Sequence, residues 1–304
     1  MRFTIVTPSF NQLDWLELCI ASVADQQGVE FVEHIVQDAG TPGIAEFARR
    51  LGADFYRDGE KVGKCDGEKL NSGGYSLTIY SEKDAGMYDA VNRGLRKASG
   101  EICAYLNCDE QYLPGTLCWV ADFFGKAGNV EVLFGDVITV APSGEALCHR
   151  RASLPHPWHV MVAQLPIFTA ATFFRSEIVK KGLLFPDGWR DLGDAVWAIE
   201  LHRRAVRCCV GRRFFSTFTY TGENMNLQPN ARAERVRLAD SAPWVAKIFS
   251  MPIIWAHRIL KWFSGAYQRE DLSYEIWCGG SRNQRTRFDC NGLSWTWPGL
   301  AKMK

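Results

Sequence analysis

Residues 101–110 read EICAYLNCDE, and the fold turns on how that run is read. Ile102, Ala104 and Leu106 alternate with Cys103 and Tyr105, all apolar or weakly polar. A near-continuous apolar run of this length suits a strand covered on both faces. It ends in Asn107, Asp109 and Glu110, with Pro114 and Gly115 just beyond. A buried strand that runs out into adjacent carboxylates carries a desolvation cost unless something pairs with them. Open α/β sheets bind ligands at the carboxyl ends of their strands, and there the natural partner of such acids is a hard divalent cation. The plainer alternative is a strand end with solvated acids.

Upstream, residues 2–7 (RFTIVT) form a first strand and Pro8-Ser9-Phe10-Asn11 a loop, with Asp14 placed to cap a helix through Leu16, Ile20 and Val23. Residues 31–37 form a second apolar strand that ends at Asp38-Ala39-Gly40-Thr41-Pro42-Gly43, followed by a helix over 44–51. Residues 57–76 are polar and glycine-rich and read as a long surface loop. A short strand over 77–80 leads through Ser81-Glu82-Lys83-Asp84-Ala85-Gly86 into a helix over 87–98, with Met87, Val91, Leu95 and Ala98 on one face and Gly100 as its stop. This strand–loop–helix alternation argues for a parallel sheet with helices on its faces.

Downstream, residues 114–126 read as a helix. Residues 131–140 and 147–150 read as a hairpin about Pro142-Ser143-Gly144, with Asp136 in its first arm. An aromatic, β-rich run covers 167–174. A loop over 185–194 carries Pro186, Asp187, Gly188, Asp191, Gly193 and Asp194, then a helix over 195–205 and a strand near 208–210 follow. After about residue 222 the composition shifts toward Trp, Ile and basic residues, and Pro252 should split residues 244–267 into two helical pieces.

The 304-residue chain has a formal net charge of +1, so no global field favours nucleic acid. Its ten cysteines are scattered with no CxxC pair, and the N-terminus has no signal-peptide plan, which points to reduced thiols and a cytoplasmic protein. No apolar run is long enough to span a bilayer.

Residues 81–117, SEKDAGMYDAVNRGLRKASGEICAYLNCDEQYLPGTL, resemble the family 2 glycosyltransferases, the inverting nucleotide-sugar enzymes of the GT-A fold. The shared shape is a Ser-Glu-x-Asp-x-Gly-x-Tyr-Asp-Ala-x-Asn-x-Gly run, then Ala-x-Gly, then a strand closing in Leu-Asn-x-Asp; Glu110 stands where the family pattern has Asp. TPSFNQ and the Asp38-Ala39-Gly40-Thr41 loop are similar to the family's opening loop and second acidic loop. The resemblance covers roughly residues 1–220 and implies a GT-A, Rossmann-like α/β catalytic domain over 1–222, with a mostly parallel sheet flanked by helices; the composition shift marks residues 223–304 as a partly helical C-terminal extension.

It also implies roles. Asp109, with Glu110 beside it, would hold Mn²⁺ or Mg²⁺ against the diphosphate of a nucleotide-sugar donor. Pro8, Phe10, Asp38, Asp84, Tyr88, Asn92 and Asn107 would line the donor: Asp38 toward the base, Asn107 toward the ribose or a metal-bound water. The structural alternative for Asp38 is an Asx-turn residue. An inverting transfer needs a general base. The family places it at the start of a late helix, which selects Asp194, with Asp191 as the neighbouring alternative. A carboxylate at a helix N-terminus is expected to keep a low pKa. The chain lacks the family's His-Gln before the aromatic strand, having Thr169-Ala170-Ala171-Thr172 instead. Residues 222–226 read either as a flap over the donor or as an ordinary surface loop.

The acceptor class implied is a saccharide or a polyprenol-linked sugar, in polysaccharide assembly. Residues 244–267 then have two readings: a basic aromatic element making peripheral membrane contact, or helices packed on the catalytic domain or in a homo-oligomer. Two other functions fit acidic strand ends: a nucleotidyltransferase, for which TPSFNQ lacks a basic glycine-rich phosphate loop, and a sugar-binding scaffold with a degenerate site.

Overall fold

The parallel half of the sheet is assembled from the strands the alternation predicts. In the computed structural model, which describes residues 1–62, 74–221, 229–279 and 281–297, β1 (Arg2–Ser9) leads to α1 (Leu13–Ala24), β2 (Phe31–Asp38) to α2 (Ile44–Arg50), then β3 (Asp54–Arg57) and β4 (Glu60–Lys61). β5 (Tyr75–Ser81) leads to α3 (Met87–Lys97), and α3 to β6 (Ile102–Tyr105). β7 (Glu110–Tyr112), α4 (Thr116–Lys126), β8 (Val132–Val140), β9 (Ala146–Arg150) and α5 (Pro157–Val162) follow. Then come a 3-10 turn (Thr169–Ala171), β10 (Thr172–Arg175), α6 (Ser176–Lys180), α7 (Gly193–Arg203) and β11 (Cys208–Thr219). The chain continues with α8 (Pro229–Asp240), α9 (Trp244–Ile248), α10 (Ser250–Phe263), β12 (Glu270–Cys278) and β13 (Ser281–Leu293).

Among the described residues the main sheet has eleven strands in the order β4-β3-β5-β2-β1-β6-β10-β8-β11-β7, with β9 paired to β8. β3, β5, β2, β1 and β6 run parallel, and β10 enters antiparallel between β6 and β8. β6 is buried along its whole length, as an apolar strand with helices on both faces must be. One side packs Leu16, Ile20, Val23 and Leu117 over the sheet; the other packs Val91, Leu95, Ile178 and Trp197. The switch of strand direction beside β6 leaves the carboxyl ends of β1, β2, β5 and β6 opening on one edge.

Several local expectations change. Pro8 and Ser9 belong to β1, not to a loop, because their backbone pairs with Gln37 and Asp38 of β2. Asp14 sits in the first turn of α1, while Gln12 takes the cap position without a side-chain bond. Residues 57–61 are not loop but carry the short antiparallel β3–β4 pair; residues 63–73 lie outside the described chain. Three of the eight residues in the aromatic run 167–174 form the 3-10 turn. β11 is far longer than residues 208–210 suggest, because register shifts between Val210 and Ser216 absorb Arg212 and Arg213 without ending the pairing with β8. Pro252 lies inside α10, and the break falls at Phe249. The tail beyond residue 267, which the sequence pattern leaves unassigned, carries β12 and β13, paired as an antiparallel hairpin. That hairpin packs on the main body, with Arg285 paired to Asp25 and Trp277 bonded to Gln111 and Asp25.

Candidate active site

Asp109 follows β6 at the sheet's carboxyl edge and is half-buried. Its carboxylate has no hydrogen bond to another described residue, and desolvation raises its pKa. Glu110 lies beneath it, 2% exposed, its Oε2 accepting the Asn107 backbone N–H at 2.9 Å. Burial, then the neighbouring Asp109 charge, pushes the Glu110 carboxyl up strongly. Asn107 Oδ1 is buried without a partner. Two adjacent acids in low dielectric with an orphaned amide oxygen make a site that lacks a positive charge. Among the described residues no three His, Cys, Asp or Glu side chains converge on one point. The donor set therefore suits Mg²⁺ or Mn²⁺ bound through one or two carboxylates, with water and ligand oxygens completing the shell. Glu110, engaged with the Asn107 backbone and sunk below Asp109, shapes the loop more than it faces outward.

The neighbouring loops are built differently. Asp38 is fully buried. Its Oδ2 accepts from Gly40 N (2.9 Å) and Thr41 N (2.7 Å), and its Oδ1 from the Thr41 hydroxyl (2.6 Å). That is the Asx-turn alternative, and it leaves the carboxylate facing its own loop. The Thr41 hydroxyl in turn accepts the Asn11 N–H at 2.9 Å, tying the β2 loop to the β1 loop. Pro8 is buried in β1, while Phe10 is 59% exposed at its end. Asp84 is half-buried; its Oδ1 accepts the Gly86 N–H at 2.9 Å, and desolvation raises its pKa. Gly86 there has φ 129°, which a side chain would strain.

Asn92 is not at the surface of this cleft. Its amide closes a two-way bond with the Phe185 backbone, donating at 2.8 Å and accepting at 2.9 Å, and so pins the 185–194 loop to α3. Tyr88, four residues earlier on the same face, stacks on Phe185 with ring centroids 5.4 Å apart. Its hydroxyl donates to the Asp191 carbonyl at 3.4 Å and lies close enough to the Asp194 carboxylate to favour its ionised form. Gly193 makes this approach feasible, since a Cβ there would lie 2.6 Å from the Tyr88 ring.

Asp194 begins α7, its Oδ1 accepting the Ala195 N–H at 2.7 Å. Its pKa is pushed up to about 6, because desolvation outweighs the Ala195 hydrogen bond and the nearby Tyr88 hydroxyl. The low value expected for a helix N-terminus is thus overturned by burial. Asp191 is tied down instead: its Oδ2 accepts from Asn230 at 2.6 Å. Tyr105, buried in β6, feels the charges of both Asp194 and Glu110, so the two acidic groups flank one tyrosine.

Two positions that hold this site were invisible in the sequence. Glu234 of α8 accepts the backbone N–H groups of Arg190, Asp191 and Leu192 at 2.6, 2.9 and 2.9 Å. Nothing in a helix that follows a composition change marks one glutamate as the anchor of a turn more than forty residues upstream. Tyr105 reads only as an apolar strand residue. Residues 222–226, expected either as a flap or as a plain loop, lie outside the described residues.

The family model described as glycosyl transferase family 2 matches residues 4–180. A PGL/p-HBAD biosynthesis glycosyltransferase of Mycobacterium tuberculosis is 28% identical over 137 residues, 45% of this chain and 46% of that protein. A putative teichuronic acid biosynthesis glycosyltransferase of Bacillus subtilis, TuaG, is 28% identical over 109 residues, 36% of each chain. The chain thus aligns with less than half the length of these curated relatives. Among solved structures, S. aureus TarS superposes with a TM-score of 0.53 at 16% identity, covering 79% of this chain and 39% of that one. TarS 1-349 in complex with UDP-GlcNAc gives 0.53 at 17% identity, covering 79% and 65%. At such identity the likeness carries the fold, the mostly parallel GT-A sheet with flanking helices.

Proposed function

The chain belongs to glycosyl transferase family 2, and from that premise we propose that it moves a sugar from a nucleoside-diphosphate donor to a saccharide or lipid-linked acceptor hydroxyl, with inversion, in polysaccharide assembly. The observation that carries this reading is the underpaired acid cluster at the end of β6, with Asp194 near enough for its charge to act on Glu110.

In this reading the exposed Phe10 and the joined loops at 8–11 and 38–41 receive the nucleoside, with Asp38 shaping the loop rather than touching the base. Asp84 and Asn107 Oδ1 face the ribose and sugar. Asp109 is the residue that would hold Mg²⁺ or Mn²⁺, which when bound would offset the negative charge growing on the departing diphosphate. Asp194 takes the proton of the acceptor hydroxyl as its oxygen forms the bond to the anomeric carbon. The bond from that carbon to the diphosphate oxygen breaks on the opposite face, its electron pair leaving with the diphosphate. A carboxylate with a pKa near 6 is ionised at neutral pH and a stronger base than a solvated aspartate. Tyr88 and Asn92 position it by fixing the turn from which it projects.

The test is a panel of nucleotide-sugars scored by thermal stabilisation with and without Mn²⁺, then by transfer. Asp109→Asn should abolish the Mn²⁺-dependent stabilisation and cut transfer by about 10²–10³-fold or more. Unchanged turnover in that variant would defeat the assignment of Asp109.

A further inference from the structure

α10 is built inside out. Its buried side chains are His257 and Lys261, whereas Met251, Trp255, Ile259, Leu260, Trp262 and Phe263 are each more than half exposed. Trp244, Ile248 and Phe249 continue this apolar surface onto α9. A surface helix normally turns its apolar stripe to the core, and contiguous exposed apolar surface of this extent marks docking. Packing on the catalytic domain, one of the readings of the sequence, does not cover these residues.

Beside this face opens a cavity of about 920 Å³, between α10, α5, β9 and residues 295–297, with Trp255, Ile259 and Trp262 on its wall. Arg150, Arg151, Arg258 and Lys261 line it, and no acidic side chain does; Asp109 and Asp194 are not part of it. Arg151 is already paired with Asp136 and Glu270. Lys261 is 7% exposed, and its ammonium has no hydrogen-bond or ion-pair partner among the described residues. Burial, with Arg150 nearby, lowers its pKa to about 8. An ammonium without an ion-pair partner, on the wall of a roomy cavity that carries three arginines and no acid, is a place for an anion.

Charge decides the occupant. Residues 244–267 contain no Asp or Glu, and Lys247 and Arg258 are exposed beside the apolar face. A second copy of the chain across a two-fold axis would set these cations against themselves. A lipid surface bearing phosphate head groups complements them, and tryptophans suit its interfacial layer. We propose that α9 and α10 lie in the interfacial plane of an anionic membrane, their outward apolar side chains entering the acyl boundary and a lipid head-group phosphate entering the cavity to pair with Lys261 and Arg150. Among the described residues no helix is long and apolar enough to cross a bilayer, so this contact is peripheral. Ala246 of α9 packs in one cluster with Leu192 and Ala195, the neighbours of Asp194, which sets the membrane one helix layer from the proposed base. That last link rests on the functional reading above; membrane docking itself does not.

Flotation of the full chain with phosphatidylcholine vesicles, with and without phosphatidylglycerol, tests this. Wild type should float with the anionic vesicles. I248E/L260E/F263E, at three exposed positions outside the cavity, should bind at least about tenfold more weakly while keeping the wild-type circular dichroism and melting temperature. Should the glutamates unfold the chain, W244S/F249S carries the same expectation. Lys261→Met should lose about fivefold of the anionic preference and keep binding to neutral vesicles. Absence of wild-type flotation, variants that float equally, or an unchanged anionic preference in Lys261→Met would overturn the proposal. So would a dimer that the triple substitution dissociates without any vesicle binding, since the occupant would then be a second copy. Failure here leaves the Mn²⁺-dependent stabilisation through Asp109 untouched, and failure there leaves flotation untouched, so the two are told apart.

Discussion

Asp38 and Asp109 stand at the carboxyl ends of two buried strands on the same edge of one sheet, yet the chain treats them in opposite ways. Asp38 receives three hydrogen bonds within its own loop and is sealed from solvent. Asp109, half-buried, receives none from any other described residue and sits over a buried glutamate and an orphaned amide oxygen. A carboxylate satisfied by its loop holds the fold; one left short of partners is held ready for a ligand, at a cost to stability. Asp194 belongs with Asp109, since burial raises its pKa despite the hydrogen bond from Ala195.

The sharpest way to break this division is Asp194→Asn. If Asp194 is the general base, transfer should fall by about 10²–10⁴-fold. The same substitution should not destabilise. The folded-state pKa of about 6 lies above the ordinary 3.8. The protonated form is thus favoured in the fold, and that stability is present at low pH and lost as pH rises toward and through about 6. Asparagine carries no charge to desolvate. The variant should therefore be more stable near neutral pH by about 1–2 kcal/mol, after allowing for partial exposure, and the gain should vanish at about pH 4. Paired thermal melts at the two pH values, alongside turnover, check both halves. A variant that is inactive and also less stable near neutral pH would make Asp194 a structural residue like Asp38.

Asp38→Ala should behave the other way round. Removing the carboxylate strands the buried Thr41 N and hydroxyl and leaves the exposed Gly40 N to water, and each buried group left without its partner costs about 1 kcal/mol or more. A loss of about 2–4 kcal/mol in chemical denaturation is expected, with donor affinity weakened through the Thr41–Asn11 link between loops. If stability is unchanged and only donor affinity falls, the side chain contacts the donor directly and the comparison with Asp109 dissolves.

How much of this was legible in the sequence follows the same physics. Local patterns carried the parallel half: the apolar runs at 2–7, 31–37 and 101–106 and the helices between them lie where periodicity puts them. The acidic strand end at 107–110 was legible because charge next to an apolar run is a local contrast. What the sequence does not display depends on partners distant along the chain. β11 continues past two arginines because β8 pairs with it. Asn92 looks like a ligand contact but bonds to Phe185, and Asp191 looks like a candidate base but is held by Asn230. Glu234 anchors the turn before Asp194 from a region read only as an extension. The pKa of Asp194 was missed in sign, because the helix terminus is visible in a sequence and the burial that outweighs it is not.

Tyr88→Phe gives the smallest expected effect and tests the finest part of the comparison. The Tyr88 hydroxyl near the Asp194 carboxylate favours the ionised form and lowers its pKa against the upward pull of burial. A general base must be deprotonated, so kcat/KM should fall as pH drops through about 6 in the wild type. Without the hydroxyl the carboxylate becomes harder to ionise, and this acid limb should move to higher pH. The plateau at high pH should change only a few-fold, since the ring still stacks on Phe185 and packs against Gly193. A pH profile of both proteins separates this from general damage: damage lowers the plateau and leaves the limb in place. A limb that stays put or moves to lower pH would mean that Tyr88 holds the loop without touching the proton, which would place it with Asp38 rather than with Asp109.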